Sequence, residues 1–187
     1  LGYYRMGRNC YTKEDVEKFR AAVVKYVVPV ASSIYREQAA RLGKSYPMNF
    51  ADNALMFRSG NPRPCGTPAE ILAQGKHFYE ELSPETGEFF NTMLDNELLD
   101  VLSTPGKRAG GYCTSLGDYH VPFIFANFNG TQHDVEVVTH EAGHAFAAWL
   151  NRDRIPQSYI WPSLEACEVH SLSLIHISEP TRLRRIS

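Results

Sequence analysis

The apolar positions of the chain fall mostly into helical stretches, with one short region that reads differently. Residues 13–42 read as one long helix. Thr12 followed by Asp15 is a capping arrangement with acidic residues in the first turn, and Gly43 is a natural stop. Pro29 is predicted to kink this helix or split it in two, because it lacks an amide proton and crowds the preceding turn. Residues 46–66 carry Pro47, Gly60, Pro62, Pro64 and Gly66 and read as a long irregular connection.

Thr67-Pro68-Ala69-Glu70 is a sharper start signal: Thr67 can cap, Pro68 suits the first helical position and Glu70 can reach back. The helix that follows is predicted to end near Leu82. Ser83-Pro84-Glu85 opens another, predicted to run to about Leu102. Residues 103–111 form a loop, with Gly110-Gly111 giving it flexibility. Tyr112–Thr114 and Val121–Phe128 are rich in aromatic and β-branched residues and read as short strands. Asn129-Gly130 turns the chain. Asp134 is then expected to cap a helix over Val135–Leu150, and Pro162 or Ser163 opens a last helix through at least Glu168. The fold class is mainly α, with a small β-sheet next to one buried helix.

Composition changes this picture little. Apolar residues make up 43% of the 187 and charged residues 21%, as in an ordinary globular domain. That excludes a disordered tail, a collagen-like fibre and a membrane bundle, and no apolar run approaches the ~20 residues of a membrane helix. A net charge of −2 gives no basis for a nucleic-acid or membrane partner. Cys10, Cys65, Cys113 and Cys167 are too few and too spread for a disulfide framework, so free thiols in a reducing compartment are expected. No targeting segment is visible at the start, which points to the cytoplasm. The chain begins at Leu1 rather than Met, so its true N-terminus is expected to be missing.

Residues 140–144 read His-Glu-Ala-Gly-His. His140 and His144, four apart on a predicted helix, share one face and can converge on a single zinc. Glu141 lies beside them, placed to handle a water without being a ligand. A chance match to this spacing is expected only about 0.02 times in a chain of this composition. The plainer alternative is a pair of core histidines bonded to backbone. Against it, Val135, Val137, Val138, Ala142, Ala145, Phe146 and Trp149 make the helix apolar on most sides, and a buried polar cluster needs partners. Gly143 leaves room for a strand or a substrate to approach. Catalytic zinc needs a third protein ligand. Glu165 and Glu168 both qualify by position on the next helix, and composition does not separate them.

Beyond the pentapeptide the chain resembles the zinc oligoendopeptidases of the oligoendopeptidase F and thimet oligopeptidase family. The likeness lies in FIFANFNGT (123–131), HDVEVVTHEAGHAF (133–146) and LEACEVHS (164–171), and in GYYRMGRNCYTKEDVEKF (2–19) and GNPRPCGTP (60–68). The resemblance implies one zinc held by His140, His144 and Glu168, with Glu141 as general base. It leaves Glu165 and His133 as candidates for supporting roles. It implies that the strand around Ala126 and Asn127 binds an extended peptide, as a sheet edge does. The implied partners are short peptide substrates cut at internal bonds; oligomeric state is not implied. The competing reading is a non-catalytic zinc- or peptide-binding helical module.

Residues 1–171 therefore read as part of a metallopeptidase catalytic domain. From Leu172 the chain departs from the family, and LSLIHISEPTR resembles the translation of a transposase mosaic-end adapter used in sequencing libraries. Residues 172–187 are accordingly expected to be a non-native tail on a truncated internal piece. A piece lacking the family's other lobe is expected to be inactive or nearly so.

Overall fold

The structure, a computed structural model, describes residues 2–8 and 10–173. The chain divides into two compact units, Leu1–Pro62 and Arg63–Ser187.

The first unit is built on helices. After a single turn, α1 (Gly2–Arg5), helix α2 spans Lys13–Ala22 and α3 spans Val28–Leu42. Thr12 caps α2 as expected: its hydroxyl accepts from the Asp15 amide at 3.3 Å, and Asp15 Oδ2 accepts from the Thr12 amide at 3.0 Å. The long helix is divided in two as expected, with the break lying ahead of Pro29 rather than at it. Val23–Val27 adopts a π-helical turn in which the Val28 amide donates to the Val23 carbonyl, five residues back. The wider turn directly precedes Pro29, which has no amide to donate to the Lys25 carbonyl. Gly43 ends α3 at φ 70°, in the left-handed region that suits glycine. The irregular stretch that follows is tied back to α3. Gln38 Nε2 donates to the Asn53 carbonyl at 3.0 Å, and Arg41 Nε to the Met56 carbonyl at 2.8 Å.

The second unit carries the sheet. Helix α4 (Pro68–Leu82) starts with the expected capping box of Thr67 and Glu70. Helix α5 spans Pro84–Asp95, shorter than expected. Asn96 ends it, Glu97 turns at φ 53°, and Leu99–Leu102 becomes strand β1 rather than more helix. Long-range pairing decides this: Leu99 aligns with Ile124 and Leu102 with Phe128 in a parallel ladder. Strand β2 (Tyr112–Leu116) pairs antiparallel with β3 (Val121–Phe128), from Tyr112 opposite Phe125 to Leu116 opposite Val121. The order is β1-β3-β2, so β3 lies at the centre and not at an edge.

Helix α6 (Gln132–Leu150) starts earlier than expected. Thr131 is the cap, and Asp134 is the third helical residue that reaches back. Its Oδ2 accepts from the amides of Thr131 at 2.7 Å and Asn129 at 3.1 Å. Helix α7 covers residues 164–173. Of the tail expected from Leu172, residues 172–173 continue α7 and the rest lies outside the described residues. The core joins Phe89, Phe90 and Met93 of α5 to Ile124 and Ala126 of β3 and to Ala142 and Ala145 of α6. Burial along β3 alternates strictly, so Pro122, Ile124, Ala126 and Phe128 face this core while Phe125 and Asn127 face the other way. The fold is mainly α, with one small sheet against the buried helix.

Candidate metal centre

Helical geometry brings His140 and His144 to the same face of α6, one turn apart. Their Nε2 atoms lie 3.1 Å from each other. Glu168 on α7 completes the group, with Oε2 3.3 Å from His140 Nε2 and Oε1 3.7 Å from His144 Nε2. The structure thus gathers the two histidines with Glu168; Glu165, exposed on the same helix, is not in that group. His133 is exposed and sits 3.6 Å from Glu136, one turn along α6.

Three donor atoms face one point. A shared proton can bridge only one pair of them, whereas a divalent cation serves all three. Two imidazoles and a carboxylate are a donor set suited to zinc, and the residues fit the ion on these grounds. His144 Nδ1 is buried and finds no hydrogen-bond partner among the described residues. Burial first, and then the nearby His140, hold the His144 imidazole below its ordinary value, against the pull of Glu168. That favours the neutral form a metal requires.

Glu141 points from α6 toward the start of β2 and is buried. Burial raises its pKa, His140 counters this, and Glu168 adds to the rise; the Cys113 amide donates to the carboxylate. Burial also pushes the neighbouring Cys113 thiol up to about 12. This thiol is therefore protonated at neutral pH and packs as an apolar group.

Two supports of the site are not visible in motif form. Gly111 touches the base helix closely: a methyl group on its Cα would lie 2.8 Å from Val137 Cγ1 and 3.7 Å from Glu141 Oε1. The loop 103–111 is also more anchored than its glycines suggest. Asn127 Nδ2 donates to the carbonyls of Arg108 and Gly110, each at 2.8 Å. Lys107 Nζ, its side chain buried, donates to Asp100 Oδ1 and to the Leu102 carbonyl, each at 2.8 Å. Gly110, Gly111, Asn127, His133 and Val137 line an open hollow of about 300 Å³ beside this loop. Gly143 faces neither strand nor open space, as its sequence position suggested, but the backbone of α7.

A metal-ready donor set beside a buried carboxylate, on a helix packed against a small sheet, is an arrangement of the kind metallohydrolases use. The chain belongs to peptidase family M3, whose family model matches residues 77–186. The match thus runs on through most of the stretch set apart as a tail. Among solved structures it is similar to a protein assigned as oligoendopeptidase F from Bacillus anthracis str. Ames, with 48% identity and a TM-score of 0.91. PZ peptidase A, solved with an inhibitor, shows 49% identity and a TM-score of 0.91. A second protein assigned as oligoendopeptidase F shows 46% and 0.92. Each comparison covers 96% of this chain but only 32–33% of the other, so the chain spans about a third of their length. No curated protein matches it in sequence.

Proposed function

We propose that the chain carries the zinc centre of a metalloendopeptidase that hydrolyses internal bonds of short peptides. The observation that supports this most directly is the convergence of His140, His144 and Glu168 beside the buried carboxylate of Glu141. These three residues would hold the ion, which when bound supplies Lewis acidity toward a water and a peptide carbonyl. Glu141 takes a proton from the attacking water at its carboxylate and passes it to the nitrogen of the leaving amine. The Cys113 amide orients the carboxylate, and Gly111 packs closely beside it without a side chain.

Substrate binding at Ala126 and Asn127 is part of the proposal, in a form adapted to a central strand. Strand β2 pairs no residue beyond Phe125. Backbone groups of β3 alternate in direction, and the Ile124 amide and Phe128 carbonyl both bond toward the β1 side. Those of Asn127 consequently face the side on which β2 has ended. An extended peptide could add there as a further strand. The Ala126 side chain is buried in the core and contributes packing beneath that position.

The 187-residue chain alone is proposed to be inactive or nearly so. Preorganised donors to a developing oxyanion are commonly worth ~10²–10³ in rate, and among the described residues none stands beside the three metal-facing groups; the chain spans only about a third of its relatives' length. The test has two parts. Metal analysis of this chain should find about one zinc, lost in His144→Ala. In a longer chain of the relatives' length bearing this segment, Glu141→Gln should keep its zinc and lose cleavage of a quenched fluorescent peptide. Unchanged turnover in that variant would refute Glu141 as the base, and a zinc-loaded parent chain that binds the peptide without cleaving it would favour a binding module.

A further inference from the structure

We infer that Gly143 is a positioning residue: its missing side chain lets the backbone of α7 rest directly on α6, and this seat, with the Ser171 hydroxyl, holds Glu168 in reach of the metal. The inference rests on the zinc reading above. A methyl group on the Gly143 Cα would lie 2.5 Å from Ser171 Cα, 3.2 Å from Ser171 N and 3.3 Å from the His170 carbonyl oxygen. All three are backbone atoms, so no rotamer change relieves the clash. Glycine inside a helix costs roughly 1 kcal/mol relative to alanine, and here the close crossing accounts for it. Ala142 and Ala145, which face the core, carry their methyl groups without exposure to solvent.

The crossing has a chemical consequence because of what α7 carries. Ser171 is fully buried against Gly143, one turn after Glu168. Its hydroxyl lies 3.1 Å from the Glu168 carbonyl oxygen and 3.4 Å from Glu168 Oε2. The Glu168 side chain is otherwise half exposed. Its aim therefore depends on where α7 sits and on this one hydroxyl. Relieving the clash would move α7 outward by about 1 Å, well beyond the ~0.2 Å tolerance of a coordination distance. Gly143 stands between the two histidines in sequence, so one pentapeptide supplies two ligands, the base and the seat of the third ligand.

The experiment compares zinc affinity by chelator competition in the wild-type chain, Gly143→Ala, Ser171→Ala, Glu168→Ala and the double variants with Glu168→Ala. Circular dichroism monitors folding. Gly143→Ala should weaken zinc by about 10–100-fold, the usual range for a residue acting through a ligand. Glu168→Ala should weaken it further, and the Gly143→Ala/Glu168→Ala chain should bind no more weakly than Glu168→Ala alone. The visible spectrum of the cobalt-loaded Gly143→Ala chain should match that of Glu168→Ala. Ser171→Ala should cost several-fold, again only while Glu168 is present. Affinity within twofold of wild type for Gly143→Ala, or a loss that adds in full to that of Glu168→Ala, would overturn the inference. If Gly143→Ala does not fold, Ser171→Ala decides alone, and unchanged affinity there overturns it. A wild-type chain that binds no zinc would overturn the metal reading and this inference with it. Zinc that is lost in His144→Ala but not in Gly143→Ala would overturn the inference alone.

Discussion

Helices α2 and α4 begin in the same way and end up in different circumstances. Each opens on a threonine whose hydroxyl accepts from the third helical amide, with a carboxylate reaching back. Helix α4 sends Tyr79 into a stacked contact with Phe90, ring centroids 4.3 Å apart, and so joins the core. Helix α2 buries nothing among its described residues. The same contrast holds for the two units. The second buries Phe89, Phe90, Met93 and Ile124 almost completely, whereas the first buries only Gln38, Ala39 and Leu42 among its described residues. Phe19, Val24, Val30 and Ile34 are each more than half exposed. Caps and local sequence are enough to define where a helix starts, but stability comes from what its apolar face touches.

The sharpest way to break this contrast is at Phe89. Phe89→Ala should lower the unfolding free energy of the second unit by ~3–5 kcal/mol, as deletion of a buried ring does. Urea titration followed by the fluorescence of Trp149, whose ring lies 6.2 Å from Phe89, reads it directly. A loss below about 1 kcal/mol would mean that the core is not where stability resides. Zinc should come next. At one hundred times its dissociation constant it should stabilise the same unit by about 2.7 kcal/mol, reversed by chelator and absent in His144→Ala.

Asp134 should come third. Burial opposes its ionisation, but the Thr131 hydroxyl and the amides of Thr131 and Asn129 together hold its pKa below the ordinary value. A depressed folded-state pKa means that the stabilisation is fully present above the unfolded value and is lost as pH falls through the folded one. Asp134→Ala should therefore cost about 1 kcal/mol at neutral pH and progressively less as the solution is acidified below the usual carboxylate range. Equal cost at all pH values would remove the carboxylate from the explanation. The smallest effect belongs to the first unit. Val30→Ser and Ile34→Ser should each shift stability by less than about 0.5 kcal/mol in this chain. A loss above 1 kcal/mol would show that their faces are already packed and would erase the contrast.

The parts of this molecule that can be read from sequence are those set by neighbours along the chain. Thr12, Thr67 and Gly43 mark helix boundaries because caps are local hydrogen bonds. His140 and His144 meet because four residues make about one turn. Strand β1 was not legible, since nothing in Leu99–Leu102 announces a partner 25 residues downstream. Asp134 reads in the sequence as a cap, whereas it serves the Thr131 cap from three residues inside. Glu168 could be separated from Glu165 only by resemblance, because the crossing of α6 and α7 is what distinguishes them. The roles of Gly111 and Gly143 share this origin. A glycine in sequence says that space is needed, and only the fold says which neighbour takes it.

The connection between β3 and α6 is three residues long, from Asn129 to Thr131. Asp134 ties both of its ends, through the amides of Asn129 and Thr131. That makes its length a timing element for everything downstream. A helix turns by about 100° and advances about 1.5 Å per residue, so a change of length here that the first turn of α6 absorbs would re-aim its faces toward the sheet. One insertion here would shift Glu141 against the Cys113 amide of β2 while leaving every ligand in the sequence. Most surface turns tolerate changes in length. This one behaves as a gear tooth, and a descendant chain could alter its residues far more freely than their number.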